Sequence, residues 1–215
     1  MKNIFLIFSI TLLLTSCRKS TFVADQTNNL LPEYSESGRN IAGALINDTA
    51  WRCEMHPCFT CYIWRFFIGS SLSGDSTTFR FEGAYSSKTI QFVDTANNNI
   101  GAAFKFVIKG LKIENQDSLL KLNNRTFQLD SINNYASISK FFPNDYGHKG
   151  KGTFTVTRVQ KGNQEYGAGT PSNPAIYKFI ISGRFNFQTY DDRLYDVKDG
   201  RFDMEVYWQS NLSIN

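Results

Sequence analysis

The residues best able to do chemistry form a cluster of three cysteines and one histidine, Cys53, His56, Cys58 and Cys61, in the segment CEMHPCFTC. Three thiols and an imidazole so close together could supply the ligands of a Cys3His zinc site. The C-x4-C-x2-C spacing also matches the plant-type iron–sulfur run, but such a cluster needs a fourth cysteine. The only other cysteine is Cys17, which we expect to be acylated, so we reject an iron–sulfur cluster.

A structural disulfide is the interpretation that we favour for this cluster. Exported proteins in an oxidising compartment usually pair their cysteines, and closing about nine residues between Cys53 and Cys61 would contribute about 2.5 kcal/mol. Three thiols cannot all pair, so one of Cys53, Cys58 and Cys61 stays free, binds metal or reaches another chain. A redox role for Cys58 and Cys61 lacks the βαβ context typical of that motif. We predict no cofactor.

The N-terminal residues, MKNIFLIFSITLLLTSC, indicate export. Lys2 precedes an apolar run that is too short to span a bilayer, for which about 20 residues are needed, so the run is typical of a secretory signal. The run ends in Leu14-Thr15-Ser16-Cys17, which resembles a bacterial lipobox. This resemblance implies removal of residues 1–16 and acylation of Cys17. Two or three acyl chains would then hold the protein stably on a membrane.

The composition favours one domain behind a tether. Removal of residues 1–16 leaves 199 of the 215 residues, without internal repeats. Residues 17–38 lack periodicity and are rich in polar side chains, so we predict a lipidated, flexible tether, followed by a β domain over residues 39–215. The net charge is +4 before processing, and the basic residues are not clustered, which argues against nucleic-acid binding.

From residue 39 onward the chain consists of short runs in which apolar and polar residues alternate. Phe79 and Phe81 alternate with charged residues, and so do Phe104 and Phe106. About ten such runs are separated by polar turns, including Asn47-Asp48 and Asp199-Gly200, and Gly183 is a candidate bulge. The only candidate helix is short, at Gln116–Leu122. We therefore predict an all-β fold with meander connections, either an antiparallel β-sandwich or a partly closed β-barrel.

Three segments resemble a family of Bacteroidota envelope lipoproteins. The opening GRNIAGALINDTAW is similar to the family pattern N-x-x-G-x-x-V-N-G-x-x-W, although Asn47-Asp48 stands where Asn-Gly is usual. The closing IISGRFNFQTYD and VKDGRFDMEV resemble the family's ISG-x-F-x-F and DGRFD strands. The resemblance implies an envelope lipoprotein with a β-rich domain and names no substrate.

The same resemblance implies O-glycosylation at Asp-Ser or Asp-Thr triplets. Five of the twelve aspartates begin a suitable triplet, although turns between strands also favour these pairs. We predict glycan attachment at one or more hydroxyl groups that fall on turns. These are Thr49, Ser76, Thr95 and Ser118.

No catalytic set is readable in the sequence. The histidines are His56 and His148 only, and no nucleophile elbow is present. Several aspartates, from Asp191 to Asp203, could in principle suggest a glycosidase or a calcium site, but they lack the EF-hand spacing. We therefore expect a non-enzymatic, lipid-anchored binding or structural module of the cell envelope, on the outer membrane, whose ligand is a protein or a glycan. The alternative is an envelope hydrolase whose residues converge only in the fold.

Overall fold

The all-β prediction is confirmed. The structure, a computed structural model, describes residues 22–54, 66–70, 75–85, 101–139, 147–167, 175–190 and 193–209. These residues form ten strands and one short helix: β1 Ile41–Ile46, β2 Thr49–Glu54, β3 Phe66–Ser70, β4 Ser76–Tyr85, β5 Gly101–Lys109, α1 Gln116–Leu120, β6 Arg125–Asp130, β7 Tyr135–Ser139, β8 Lys151–Tyr166, β9 Ile176–Tyr190 and β10 Leu194–Gln209. Helix α1 falls within the predicted helical segment.

The strands form two antiparallel sheets. One has six strands in the order β6-β8-β9-β10-β1-β2, and the other has four in the order β3-β4-β5-β7. Only two residue pairs join β2 to β4, so the sheets act as two layers, and the fold is a sandwich. Five pairs of sequence neighbours form antiparallel pairs as the predicted meander requires: β1-β2, β3-β4, β4-β5, β8-β9 and β9-β10. The meander prediction is wrong for β6 and β7, which pair with β8 and β5 and not with each other, and β10 returns to pair with β1. The last strand therefore lies beside the first in the middle of the larger sheet.

Aromatic rings fill the space between the sheets. The centre of the Phe154 ring, in the six-stranded sheet, lies 4.6 Å from the centre of the Phe106 ring and 5.0 Å from that of the Phe79 ring. Phe106 and Phe79 both belong to the four-stranded sheet. Phe81 and Phe202 make a similar contact at 5.1 Å. Each of these side chains is at most 1% exposed. The alternation of apolar and polar residues therefore predicts the buried face correctly.

Two predicted turns have different outcomes. Asn47 and Asp48 form the two-residue turn between β1 and β2 and have φ angles of 47° and 65°. Positive φ at both positions is the geometry of a type I′ hairpin, which Asn and Asp tolerate. Asp199 and Gly200, in contrast, lie inside β10 at a register shift. A Cβ on Gly200 would lie 2.3 Å from the Phe185 ring, so glycine is needed there for packing.

The bulge predicted at Gly183 lies on the neighbouring strand. Strand β9 runs unbroken through Gly183, while β8 shifts register between Val156 and Arg158. The extra residue turns Val159 into the core in place of Arg158. A Cβ on Gly183 would lie 2.5 Å from the Phe202 ring. The glycine therefore permits close packing and does not itself form the bulge.

The prediction of a flexible tether up to residue 38 does not fit residues 22–38. Residues 22–40, which we call the strap, lie across the outer face of the six-stranded sheet. Leu31 is completely buried, and Pro32 packs directly on Gly43, where a Cβ would come within 2.3 Å of the proline ring. The strap pairs with itself through a bridge between Ala24 and Pro32. The folded part of the chain therefore begins much earlier than predicted.

Candidate functional site

The cysteine cluster is only partly within the described residues. Cys53 is fully buried in the core, on the inner face of β2, whereas His56, Cys58 and Cys61 lie outside the described residues. Cys53 is thus the only cysteine that the structure describes, and the disulfide stays a prediction. Any bond from Cys53 would have to form from within the core.

The predicted glycosylation residues differ in their surroundings. Thr49 is exposed at the start of β2, next to the hairpin turn, and Ser76 is half-buried at the start of β4. Ser118 is used in the cap of α1, where its Oγ accepts from the Asn115 N–H at 3.0 Å and donates to the Asn115 carbonyl at 2.7 Å. Thr95 lies outside the described residues. Glycosylation at these positions stays a prediction, and Thr49 is the most accessible of the three described hydroxyls.

The carboxylates weighed as catalytic or calcium-binding do not converge in the described part of the chain. Asp196 forms an ion pair with Lys198 at 2.7 Å, and Asp203 lies on the outer face of β10 beneath the strap. Asp191 and Asp192 fall outside the described ranges. Across those ranges no group of three His, Cys, Asp or Glu side chains could hold a metal ion. Asp203 instead belongs to a network of polar contacts under the strap.

Asp203 binds the strap through its main chain. The carboxylate is 2% exposed and accepts the N–H groups of Ser37, Gly38 and Arg39 at 3.1, 2.8 and 3.0 Å. The Ser182 hydroxyl donates a fourth bond at 2.9 Å. Gly38 has a φ of 78°, the left-handed conformation by which successive N–H groups can converge on one anion. Four donors thus surround one buried carboxylate.

A second contact lies just beyond this carboxylate. Asn40 donates from Nδ2 to Glu205 Oε2 at 3.2 Å, and the Glu205 N–H donates to Asn40 Oδ1 at 2.8 Å. Lys178 approaches the same carboxylate at 3.2 Å. Asn40 has a φ of 58°, which asparagine tolerates better than most residues. These bonds hold the chain where it turns from the strap into β1.

The middle of the strap is held by Tyr34. Its hydroxyl donates to Glu36 at 2.7 Å and contacts the Thr157 hydroxyl at the β8 bulge. The Arg184 guanidinium lies 4.1 Å from the centre of the Tyr34 ring. Burial, helped by the bond to Glu36, raises the pKa of Tyr34 to about 12, and the same bond lowers the pKa of Glu36. Arg158 adds an ion pair to Glu36 at 3.4 Å.

The first turn of the strap is held by Asp25. Its Oδ1 accepts the Thr27 and Asn28 N–H groups at 2.9 and 3.0 Å and also the Thr27 hydroxyl. Its Oδ2 pairs with Arg201, which is 8% exposed and lies on the outer face of β10. The bonds from Thr27, followed by that from Asn28, hold the pKa of Asp25 well below its usual range. Arg201, Asp203 and Glu205 therefore all face the strap.

Acid should loosen the strap. The pKa values of Asp25 and Glu36 are lower in the folded chain than their ordinary values of 3.8 and 4.5. The two carboxylates therefore contribute their full stabilisation of the folded state at pH values above those ordinary pKa values. This contribution is lost as the pH falls through their depressed folded pKa values. We expect the double variant Asp25→Asn/Glu36→Gln to lose about 2 kcal/mol of unfolding free energy at pH 7. This loss should shrink steadily below pH 4.

Denaturant titration at pH 7, 4 and 2.5 measures this difference. Glu114→Gln is the control because the Glu114 carboxylate forms an exposed ion pair with Lys112, and such pairs contribute little. A difference between the double variant and the parent that stays constant with pH would contradict the role assigned to these carboxylates.

The strap network was missed at the sequence level because its residues are polar and without periodicity. A detectable signal was the acidic content of the segment, with Asp25, Glu33 and Glu36, opposite arginines in the closing strands. The network attaches the strap to the sheet. Its carboxylates accept hydrogen bonds from main-chain N–H groups and pair with guanidinium groups on the facing segment.

Comparisons with known proteins bring no further information. No protein-family model, curated protein or solved structure matches the chain. The likeness to envelope lipoproteins stays a prediction. Among the described residues, no helix is both long and apolar enough to cross a membrane.

Proposed function

We propose that the protein is a lipid-anchored module of the cell envelope that attaches to the outer membrane through Cys17. The observation that carries this proposal is the strap. Mechanical force on a domain that is anchored by its N-terminus acts through its N-terminal segment. Here polar contacts join that segment to the sheet at Asp203, Arg201 and Thr157. Such an attachment suits a domain that is held from this end.

We further propose that the module binds or supports a partner and is not an enzyme. The buried charged groups of the outer face have structural partners: Asp203 binds main-chain N–H groups, Arg201 binds Asp25, and Glu205 binds Asn40 and Lys178. Perturbed carboxylates in an active site would instead face an open cleft. The partner, a protein or a glycan, would be recognised by the loops of the β scaffold.

Cys17→Ser should abolish acylation and leave an unprocessed precursor, because serine lacks the thiol to which the diacylglyceryl group is attached. Metabolic labelling with a fatty-acid probe, followed by intact-mass measurement, detects both effects. Cys58→Ser is the matched control and should be labelled like the parent. Label retained on Cys17→Ser would contradict the proposal.

The non-enzymatic part of the proposal has its own test. Purified lipidated protein is incubated with cell-wall fragments and with glycans, and the mixture is searched for products by mass spectrometry. We expect retention of material without turnover. Turnover that is lost on heat denaturation of the protein would support an envelope hydrolase instead.

A further inference from the structure

We propose that the strap holds the β2 end of the six-stranded sheet against the lipid surface, with Phe22 and Val23 at the membrane interface. This inference rests on the proposed acylation of Cys17 and deepens it, because it states which side of the domain faces the lipid. Three observations support this inference. They are the position at which the strap begins, the contacts that fix the strap to the sheet, and the apolar side chains exposed at the start of the strap.

The chain between the lipid and the fold is short. Four residues, 18–21, separate Cys17 from Phe22. Whatever their conformation, five Cα–Cα steps span at most about 18 Å. A tether flexible to Gly38 would have 21 steps and a maximum reach of about 75 Å. Because a domain of this size is roughly 40 Å across, the short link restricts its orientation and the long tether would not.

Contacts with the six-stranded sheet fix the strap from its first residue onward. Arg52 of β2 lies 4.4 Å from the centre of the Phe22 ring, and Pro32 packs on Gly43 of β1. Tyr34 then reaches β8 and β9 through Thr157 and Arg184. The strap thus begins over β2 and crosses four further strands. The start of the strap therefore cannot swing away unless these contacts break.

Apolar side chains are exposed where the strap begins. Phe22 and Val23 are 37% and 40% exposed, and Leu30, in the same small hairpin, is 37% exposed. The other large hydrophobic residues exposed in the described part of the chain are Ile132, Tyr190 and Leu194. An aromatic ring flanked by arginine suits the interface between headgroups and acyl chains. Arg18 and Lys19, which precede the strap, would attract anionic headgroups.

A photo-crosslinking experiment tests this orientation. Benzoylphenylalanine is introduced at Val23 in the full-length, lipidated protein, and the protein is reconstituted in vesicles of phosphatidylethanolamine and phosphatidylglycerol. The matched control carries the probe at Ile132, which is 74% exposed in the turn after β6, at the other edge of the same sheet. We expect at least fivefold more phospholipid adduct at position 23 than at position 132 after irradiation.

A second variant tests the role of the short link. Twenty Gly and Ser residues are inserted between Lys19 and Ser20, outside the strap, so that the strap stays docked but the reach grows. The adduct at position 23 should fall at least threefold, because the longer link lowers the effective concentration of lipid at the strap.

The outcomes separate this inference from the proposed function. Equal adduct at positions 23 and 132, on protein whose intact mass includes the acyl chains, would overturn the orientation and leave the anchor standing. An adduct at position 23 that does not change with the insertion would also overturn it. Protein that lacks the acyl mass would overturn the anchor and the orientation together.

Discussion

Asp203→Asn should lower the free energy of unfolding by about 3 kcal/mol and release the strap. The aspartate accepts three main-chain N–H groups and one hydroxyl in a site that is 2% exposed. Asparagine has the same shape, but it turns an NH2 group toward donors and loses the charge that strengthens these bonds. Buried N–H groups left without an acceptor cost about 1–3 kcal/mol each. The melting temperature should fall by about 6–12 °C.

Hydrogen exchange locates this loss. Amides of residues 22–40 should exchange much faster in Asp203→Asn, while amides of β9 beneath the aromatic core keep most of their protection. Asp199→Asn is the matched control, because Asp199 is exposed on the same strand with a φ of 51°, which asparagine tolerates. Unchanged exchange in the strap of Asp203→Asn would show that the carboxylate does not hold it.

Phe154→Ala should have the largest effect on stability, about 4 kcal/mol. Phe154 is completely buried and its ring packs against rings from both sheets, at 4.6 Å from Phe106 and 5.5 Å from Phe202. Truncation removes apolar contact and leaves a cavity that the stiff sheets cannot close, which costs about 3–5 kcal/mol for a buried phenylalanine. The melting temperature should fall by about 8–16 °C.

Urea titration measures the loss as a lower midpoint at an unchanged slope. Ile132→Ala, at an exposed turn, is the control and should stay within about 0.5 kcal/mol of the parent. The loss of stability in Phe154→Leu should lie between those of Ile132→Ala and Phe154→Ala, because leucine fills part of the cavity. A loss below about 1 kcal/mol for Phe154→Ala would mean that the two sheets do not share one aromatic core.

The alternation of residues predicted the faces of the strands because a strand turns successive side chains to opposite sides. Phe79 and Phe81 point inward and Arg80 outward for this reason alone. The same rule failed at β8, where the extra residue at the bulge placed Val159 in the core instead of Arg158. A bulge is defined by how a strand pairs with its neighbour. Gly183 therefore indicated where along the sheet the bulge lies, but not that β8 and not β9 contains the extra residue.

The candidate site was predictable only in part. The segment that resembles a lipobox and the cysteine cluster are local patterns, so Cys17 and Cys53 could be singled out as candidates without a structure. Asp203, in contrast, was read as one of several strand-end carboxylates. Its role depends on Ser37, Gly38 and Arg39, which lie more than 160 residues away in sequence. Local patterns cannot report a contact of this kind.

The sequence by itself determined that the chain is all-β, which residues face the core where a strand has no bulge, as in β4, and where the hairpin at Asn47-Asp48 turns. These features follow from the two-residue period of strands and from the backbone freedom of turn residues, which are local properties. Only the tertiary structure decided that the strands form two layers, that β10 lies beside β1, and that residues 22–40 are strap and not tether. A polar segment becomes ordered when a distant surface supplies partners for its charges and N–H groups, and here Arg201, Asp203 and Glu205 of the last strand supply them.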